Sequence, residues 1–216
     1  MSERWVCLDV GETLVDETRI WGAWADELGI PRLTFFAALG AVIADGRTHQ
    51  DVFSVFGLAP DTWGSRRDAV EERHGGLTAE DLYPDALPCM AALRNAGYRL
   101  AVIANQPSIR HAQLQAAGVD ADVMAMSEEL RVSKPKRAFF ERSLELMGSP
   151  PAASVAYVGD RVDNDVLPSA AAGMRAIWIR RGPWAHVQAP PPDGTPALVV
   201  DSLDELADRI AGAWQD

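Results

Sequence analysis

The sequence predicts an α/β fold: a doubly wound, mostly parallel sheet with a small α-helical segment inserted after the first strand. From residue 83 onward, short apolar runs typical of buried strands alternate with amphipathic stretches typical of helices. Residues 16–82, in contrast, contain no convincing strand and show helical periodicity. Repeated βα units imply a parallel sheet covered on both faces, with right-handed crossovers. We therefore assign residues 1–15 and 83–216 to an α/β core and residues 16–82 to a helical insertion.

The first strand is the apolar run at residues 5–8, which delivers one carboxylate, Asp9, at its end. Gly11 and the hydroxyl of Thr13 follow directly. A charged residue at the end of an otherwise buried strand needs a partner. Asp9 is therefore a candidate metal ligand or nucleophile, and the alternative is a strand-end residue that caps a turn.

The insertion is predicted to contain four amphipathic helices. Their approximate spans are residues 18–28, 35–43, 49–56 and 61–75. Thr34 is the candidate N-cap of the second helix, and the fourth begins near Pro60. The aromatic residues here most simply form the core of a small bundle. Five residues could instead face a cleft, and their roles stay open at this point: Arg19, Trp21, Trp24, Arg47 and His49.

The rest of the chain alternates strands with helices. Further strands are predicted at residues 98–104, 122–125, 154–159, 175–179 and 197–200, the last at a sheet edge. Helices are predicted at residues 85–95, 109–117, 136–147, 163–172 and 203–213. Ser202 is the N-cap of the last helix. The proline-rich stretch at residues 182–196 is predicted to be a surface loop.

A second group of carboxylates follows the apolar run at residues 154–159. Asp160, Asp163 and Asp165 share one turn, where like charges repel unless a cation or a lysine lies among them. Lys134 is one of only two lysines in the chain, so a counter-charge role is favoured for it. Ligands of parallel sheets bind beyond the carboxyl ends of the strands, where Asp9, Asn105, Lys134 and Asp160 would gather. The pattern predicts a divalent-cation site at that edge.

Composition narrows the function classes. The net charge of −11 argues against nucleic acid or an anionic membrane as a partner. Cys7 and Cys89 are interpreted as reduced thiols. The sequence shows neither a secretory signal nor an apolar run long enough to span a membrane, so we expect a soluble, cytoplasmic protein. A monomer or a homodimer is expected.

Four motifs, taken in order, resemble the haloacid dehalogenase (HAD) superfamily. They are Asp-Val-Gly-Glu-Thr-Leu at residues 9–14, Ala-Asn at 104–105, Lys-Pro at 134–135 and the acidic stretch that runs from Gly159 to Asp165. The insertion is similar in position to the cap that lies between the first two motifs of such proteins. The resemblance covers nearly the whole chain and implies a Rossmann-like HAD core. It also implies Mg²⁺-dependent phosphatase chemistry on a small phosphorylated molecule, through a covalent aspartyl-phosphate.

The resemblance also implies roles for individual residues. Asp9 would be the nucleophile, and Lys134 would offset negative charge around Asp9 and the phosphoryl group. Mg²⁺ would be held by Asp9, the carbonyl of Gly11 and Asp160, and Asp165 is a further candidate metal residue that would orient Lys134 or a metal-bound water. The candidate substrate-binding residues are Thr13, Asn105, Gln106 and Lys134.

Two departures from the superfamily's pattern bear on activity. Gly11 stands where most family phosphatases have a second Asp, the general acid and base, and glycine cannot transfer a proton. Glu12 is expected to point elsewhere, and His49 or His74 is a candidate substitute. Ala104 stands where a hydroxyl usually donates to the phosphoryl group.

Three functions therefore stay open. They are a weak or specialised Mg²⁺-dependent phosphohydrolase, a HAD-fold protein that binds a ligand or a protein partner, and a dehalogenase-like hydrolase. The two aspartates at positions 160 and 165 argue against dehalogenation. Residues 16–82 contain no lysine, which removes phosphonate cleavage through a Schiff base on the cap.

Overall fold

Six parallel strands form a single sheet in the computed structural model, which describes residues 3–59 and 61–215. The strands are β1 (Trp5–Leu8), β2 (Arg99–Ala104), β3 (Val123–Met126), β4 (Val155–Gly159), β5 (Arg175–Ile179) and β6 (Leu198–Val200). Their order across the sheet is β3-β2-β1-β4-β5-β6, and every neighbouring pair is parallel. This arrangement confirms the predicted fold class and places β6 at an edge.

The described ranges contain eleven α-helices. They are α1 (Thr18–Glu27), α2 (Arg32–Ala44), α3 (Val52–Val55), α4 (Thr62–His74), α5 (Ala86–Asn95), α6 (Ile109–Ala116), α7 (Ser127–Leu130), α8 (Arg137–Leu146), α9 (Leu167–Ala171), α10 (Gly182–Val187) and α11 (Leu203–Arg209). Helices α1 to α4 lie between β1 and α5, as the sequence predicts. The division of the chain into a core and a cap remains a prediction.

Helix starts depart from the sequence pattern at two places. Thr34 is not an N-cap: α2 begins at Arg32, directly after Pro31, whose ring fixes φ at a value compatible with helix entry. The predicted start of the fourth helix at Pro60 lies outside the described residues. Ser202 is an N-cap as predicted, because its side chain accepts a hydrogen bond from the backbone N–H of Glu205.

Two further segments differ from the predictions. The predicted helix at residues 163–172 is divided into a π-helical turn (Val162–Val166) and α9, which carries a proline in its first turn. The sequence predicts only a surface loop at residues 182–196, but α10 occupies the start of that stretch. Trp184 of α10 is buried against the aromatic core of the insertion, so tertiary packing overrides the proline-rich composition.

The two faces of the sheet bury separate apolar layers. Val6 and Leu8 point into a layer covered by α5 and α11, whereas Trp5 and Cys7 point into the layer covered by α8. This alternation follows from the two-residue period of a strand. Cys7 and Cys89 are both buried, free thiols.

An aromatic cluster forms the core of the insertion, as predicted. Trp24 stacks on Trp63 with ring centroids 5.2 Å apart and meets Phe53 edge-on at 4.8 Å. Arg19 does not face a cleft. Its guanidinium pairs with both carboxylate oxygens of Asp81, at 2.7 and 2.6 Å, and so ties α1 to the chain that leaves the insertion.

Within residues 3–59 and 61–215, no single helix has the length and apolar character needed to cross a membrane. Helices α1 and α2 reach that length and composition only when counted together across a bend of 114°.

Candidate active site

Asp9, Lys134 and Asp165 form a buried ion network at the carboxyl end of β1. The Nζ atom of Lys134 lies 2.7 Å from Oδ1 of Asp9 and 2.6 Å from Oδ1 of Asp165. Burial alone would lower the pKa of Lys134, but the charges of Asp165 and Asp9 raise it above its ordinary value. The ammonium is therefore charged, as predicted, and it holds the nucleophile candidate in one position.

Asp160, at the end of β4, brings a further buried carboxylate to this network. Its Oδ2 atom has no hydrogen-bond partner among the described residues. Oxygen atoms of Asp9, Asp160 and Asp165 lie within 4.8 Å of one another. Burial, and then repulsion from Asp165 and Asp9, raise the pKa of Asp160 well above its usual value. Three carboxylates share one ammonium, so a hard, oxygen-preferring divalent cation fits the charge and the donor set.

Both oxygens of Asp165 are already used. Oδ1 accepts from Lys134, and Oδ2 accepts from the backbone N–H of Arg161 at 3.0 Å. Gly159 makes this possible, because a methyl group there would meet Cγ of Asp165 at 2.4 Å. The geometry favours Asp165 as the residue that positions Lys134, and its part as a metal ligand stays a prediction.

We expect Asp160→Asn to stabilise the cation-free protein. The substitution removes a buried carboxyl group whose pKa is raised and which no ammonium or guanidinium contacts in the described part of the chain. Folding then no longer has to bury this charge or take up a proton to neutralise it, so the free energy of unfolding in chelator near pH 7 should rise by about 1–3 kcal/mol. The stabilisation that Mg²⁺ gives to the wild type should largely disappear, since one ligand charge is gone. Thermal melts with and without Mg²⁺ measure both effects.

Asp163→Asn is the matched control on the same turn. The Asp163 side chain is half-exposed and pairs with Arg161 at 2.7 Å, so its loss should lower stability by no more than about 1 kcal/mol. It should leave the effect of Mg²⁺ intact. If Asp160→Asn instead lowered the free energy of unfolding measured in chelator, the assignment of Asp160 as an uncompensated acidic group would be wrong.

Asn105 holds the loop that carries Lys134. Its side-chain Nδ2 donates to the carbonyl of Lys134 at 3.0 Å, and its Oδ1 accepts from the backbone N–H of Lys134 at 2.8 Å. Gln106 lies beside the cleft and donates to Glu17 at 3.3 Å. Thr13 is fully buried, its hydroxyl lacks a partner among the described residues, and it does not line the cleft. The substrate-binding roles of these three residues remain predictions.

A cleft of about 480 Å³ opens between the insertion and the sheet edge. It adjoins a recess of about 60 Å³ that reaches Asp9, Gly11 and Asp160. Glu17 and Lys134 line both spaces. The predicted metal and nucleophile residues therefore lie at the bottom of a space large enough for a small metabolite.

Among the insertion residues left open by the sequence, three line the cleft: Trp21, Arg47 and His49. Trp24 lies in the aromatic core, and Arg19 pairs with Asp81. Arg47 contacts Ser54 at 3.0 Å and lies 3.8 Å from Asp51. His74, the other candidate for proton transfer, pairs with Glu27 at 3.3 Å and is not part of the cleft lining.

His49 is a poor acid in this setting. Its ring meets Trp21 and Trp184 edge-on, with centroids 5.4 and 6.0 Å away. Burial, together with the charge of Arg161, lowers the pKa of His49 to about 4. The imidazole is therefore neutral near pH 7 and has no proton of suitable acidity to give.

Glu12 does not line the large cleft, but it does line the adjoining recess that reaches Asp9 and Asp160. The hydroxyl of Tyr83 donates to its carboxylate at 2.7 Å, and the backbone N–H of Glu17 donates at 3.0 Å. Burial, and then the charge of Glu17, raise the pKa of Glu12 to about 7. Glu12 therefore anchors the point where the chain enters the insertion.

Sequence reasoning missed three residues of the site. Glu17 lies over Gly11, and the guanidinium of Arg161 stacks on Trp184 with its carbon 3.9 Å from the ring centroid. Arg161 directly follows the predicted metal residue Asp160 in the sequence, and this position could have indicated that Arg161 lies near the site. No sequence signal pointed to Trp184, because its neighbours read as a loop, or to Glu17, because an acidic residue before a helix is typical of a solvated helix start.

Curated proteins of known activity are similar to this chain in sequence. Glyceraldehyde 3-phosphate phosphatase of Methanopyrus kandleri is 31% identical over 137 residues, which is 62% of this chain and 58% of that protein. The Escherichia coli pyrimidine 5'-nucleotidase YjjG is 31% identical over 126 residues, covering 57% of this chain and 54% of that one. The chain thus spans little more than half the length of these curated relatives.

Solved structures share the fold across nearly the full length. A HAD phosphatase from Thermococcus onnurineus superimposes with a TM-score of 0.64 at 22% identity and covers 97% of this chain and 98% of its own. The magnesium-bound HAD-hydrolase YfnB from Bacillus subtilis superimposes with a TM-score of 0.72 at 17% identity, and the match covers 96% of this chain and 98% of that one. The L-2-haloacid dehalogenase RSc1362 superimposes with a TM-score of 0.71 at 18% identity, and the match covers 98% of this chain and 100% of that one. These likenesses establish the fold.

The family follows from a sequence match. The family model described as haloacid dehalogenase-like hydrolase matches residues 4–173. That match runs from β1 through the turn that bears Asp160 and Asp165, and it includes the ion network around Lys134, so the chain belongs to the haloacid dehalogenase-like hydrolases.

Proposed function

We propose that this protein is a Mg²⁺-dependent phosphohydrolase that acts on a small phosphorylated metabolite through an aspartyl-phosphate at Asp9. One observation carries the proposal: a buried lysine holds the nucleophile candidate beside a buried carboxylate that could bind a cation. Lys134 lies 2.7 Å from Asp9, and Oδ2 of Asp160 has no hydrogen-bond partner among the described residues. Relatives named as a glyceraldehyde 3-phosphate phosphatase, a pyrimidine 5'-nucleotidase and a phosphoserine phosphatase support the substrate class.

The protein groups have distinct tasks in this reaction. An oxygen of Asp9 attacks phosphorus, and the ester oxygen leaves on the opposite side. Lys134 stays fixed by Asp165 and offsets charge that accumulates on the phosphoryl oxygens. Asn105 keeps the Lys134 backbone in place through two hydrogen bonds. Most of the positioning is therefore complete before the substrate enters.

Mg²⁺ would be held by Asp9, Asp160 and the carbonyl of Gly11, with Asp165 as a further oxygen donor nearby. When bound, it supplies Lewis-acid stabilisation of the phosphoryl oxygens and neutralises the excess carboxylate charge. The unpartnered oxygen of Asp160 supports this assignment.

Two alternatives from the sequence are less well supported. A dehalogenase displaces halide from carbon and has no use for a cluster of three buried carboxylates around a cation site. A protein that only binds a ligand does not require a buried ion pair between Lys134 and Asp9. We further propose a cytoplasmic monomer or homodimer, with no nucleic-acid or membrane partner expected at the net charge of −11.

Hydrolysis of para-nitrophenyl phosphate tests the proposal. We expect turnover in Mg²⁺, loss of turnover in excess chelator and recovery when Mg²⁺ is added back. The reason is that the cation would stabilise the negative charge on the phosphoryl oxygens. Phosphate release measured alongside melting temperature separates loss of activity from loss of fold. Undiminished turnover in chelator would contradict the metal assignment. A folded protein that is stabilised by Mg²⁺ but inactive on every phosphate ester would favour the binding function.

A further inference from the structure

Glu17 occupies the space that a side chain at position 11 would fill. A methyl group on Gly11 would meet Oε1 of Glu17 at 2.6 Å and its Cδ at 2.9 Å. The same carboxyl group lines the recess that holds Asp9, Gly11 and Asp160. An acid is thus present beside the nucleophile, although it is delivered from the start of α1 and not from the strand end.

Two neutral donors hold this carboxyl group. The indole N–H of Trp21 donates to Oε2 at 3.1 Å, and the Gln106 amide donates to Oε1 at 3.3 Å. In the described part of the chain no ion pair joins Glu17 to a lysine or an arginine, although Arg161 and Lys134 line the same recess. The carboxyl group is therefore positioned by neutral hydrogen bonds and is not held in an ion pair.

The chemistry calls for such a group. An alkoxide is a poor leaving group, so it needs a proton as the ester bond breaks, and the water that later hydrolyses the aspartyl-phosphate needs a base. Gly11 can do neither. Glu12 lines the same recess, but both of its carboxylate oxygens already accept hydrogen bonds, from the Tyr83 hydroxyl and from the Glu17 backbone N–H. His49 is a poor acid because its pKa lies at about 4.

We propose that Glu17 is the general acid and general base of this site, a role that rests on the phosphohydrolase function proposed above. Asp9 forms a bond to phosphorus as the ester bond breaks, and the electron pair stays on the leaving oxygen, which takes the proton of the Glu17 carboxylic acid. Water then attacks the aspartyl-phosphate and gives a proton to the Glu17 carboxylate. The bond between phosphorus and Asp9 breaks, the electron pair returns to Asp9, and phosphate departs with Glu17 protonated again.

Glu17→Gln tests the role, because glutamine keeps the size and can still accept from Trp21. The test uses two esters, para-nitrophenyl phosphate, which needs no proton to leave, and an alkyl phosphate such as glycerol phosphate. Phosphorylation of Asp9 by the aryl ester should proceed at nearly the wild-type rate. Overall turnover should fall by about 10²–10⁴-fold, so the phosphorylated enzyme accumulates. With the alkyl ester, phosphorylation itself should slow by a similar factor.

A rescue variant separates chemistry from structure. Glu17→Ala vacates the space over Gly11, and the double variant Glu17→Ala with Gly11→Asp returns a carboxyl group to it. We expect at least about tenfold recovery of turnover over Glu17→Ala alone. Glu27→Gln is the matched control. Glu27 lies at the opposite end of α1, pairs with Arg73 at 2.6 Å and does not line the cleft, so turnover should be unchanged.

The outcomes are distinct. If the wild type forms no phosphorylated enzyme with either ester, the proposed function fails, and the role of Glu17 fails with it. If the wild type does form the phosphorylated enzyme, but Glu17→Gln turns over the alkyl ester at the wild-type rate, the role of Glu17 is overturned and the proposed function is not. That role is also overturned if Glu17→Gln slows phosphorylation by both esters equally and the double variant recovers nothing, since Glu17 would then only support the structure.

Discussion

Lys134→Met is expected to lower the free energy of unfolding by about 3–5 kcal/mol in the absence of divalent cations. Lys134 is the only cation in contact with the buried Asp9 and Asp165 among the described residues, at 2.7 and 2.6 Å. Methionine keeps most of the volume but leaves these carboxylates uncompensated, and removing one partner of a buried ion pair is strongly destabilising. Chemical denaturation in chelator measures the change.

Lys136→Met is the matched control. It is the chain's other lysine, two residues away and exposed, so its replacement should change stability by less than about 0.5 kcal/mol. Mg²⁺ should recover part of the loss in Lys134→Met, because a second cation can take over some of the charge. Equal stability of the two variants would mean that Lys134 does not compensate the carboxylates.

The sheet edge of this site was predictable from the sequence. Residues 5–8 and 154–159 read as strands because they are continuous apolar runs, and adjacent parallel strands end at the same edge. The sequence therefore predicts that Asp9 and Asp160 gather at that edge, and the parallel pairing of β1 with β4 brings them together. The scarcity of lysine in the sequence singled out Lys134, and the structure places it between the nucleophile candidate and Asp165.

The contributions of the insertion were not predictable in the same way. Glu17 precedes α1 by one residue, and its position over Gly11 depends on how the insertion packs against the sheet edge. Trp184 belongs to a stretch rich in proline and glycine, and only its contact with the aromatic core of the insertion shows why α10 forms there. Local pattern specifies the elements, whereas contacts between distant segments decide which face of each element reaches the cleft.

Asn105 illustrates a second limit. Its place after β2 predicted contact with a ligand, but its amide is paired in both directions with the backbone of Lys134. Asn105 and Lys134 are 29 residues apart in sequence, and no local signal links them. The pairing depends on the loop before α8 folding back over the end of β2.

Asp9→Asn is expected to abolish turnover while leaving the fold intact. The amide is not a nucleophile, so kcat for para-nitrophenyl phosphate should fall by about 10⁴–10⁶-fold, as when other enzymes lose their nucleophile. Stability should not fall in parallel, because the amide oxygen can still accept from Lys134 and one buried negative charge is removed. Melting temperature in chelator should therefore be equal to or higher than that of the wild type.

Mass analysis of acid-quenched enzyme makes this prediction specific to Asp9. The wild type should carry one phosphoryl group that is lost at alkaline pH, as expected of an acyl phosphate, and Asp9→Asn should carry none. Asp120→Asn, on an exposed loop where Asp120 lies 3.3 Å from Arg94, should behave as the wild type. A phosphoryl group on Asp9→Asn would place the nucleophile elsewhere. Loss of both phosphorylation and stability would instead mean that the Asp9 carboxylate is required to keep Lys134 in place.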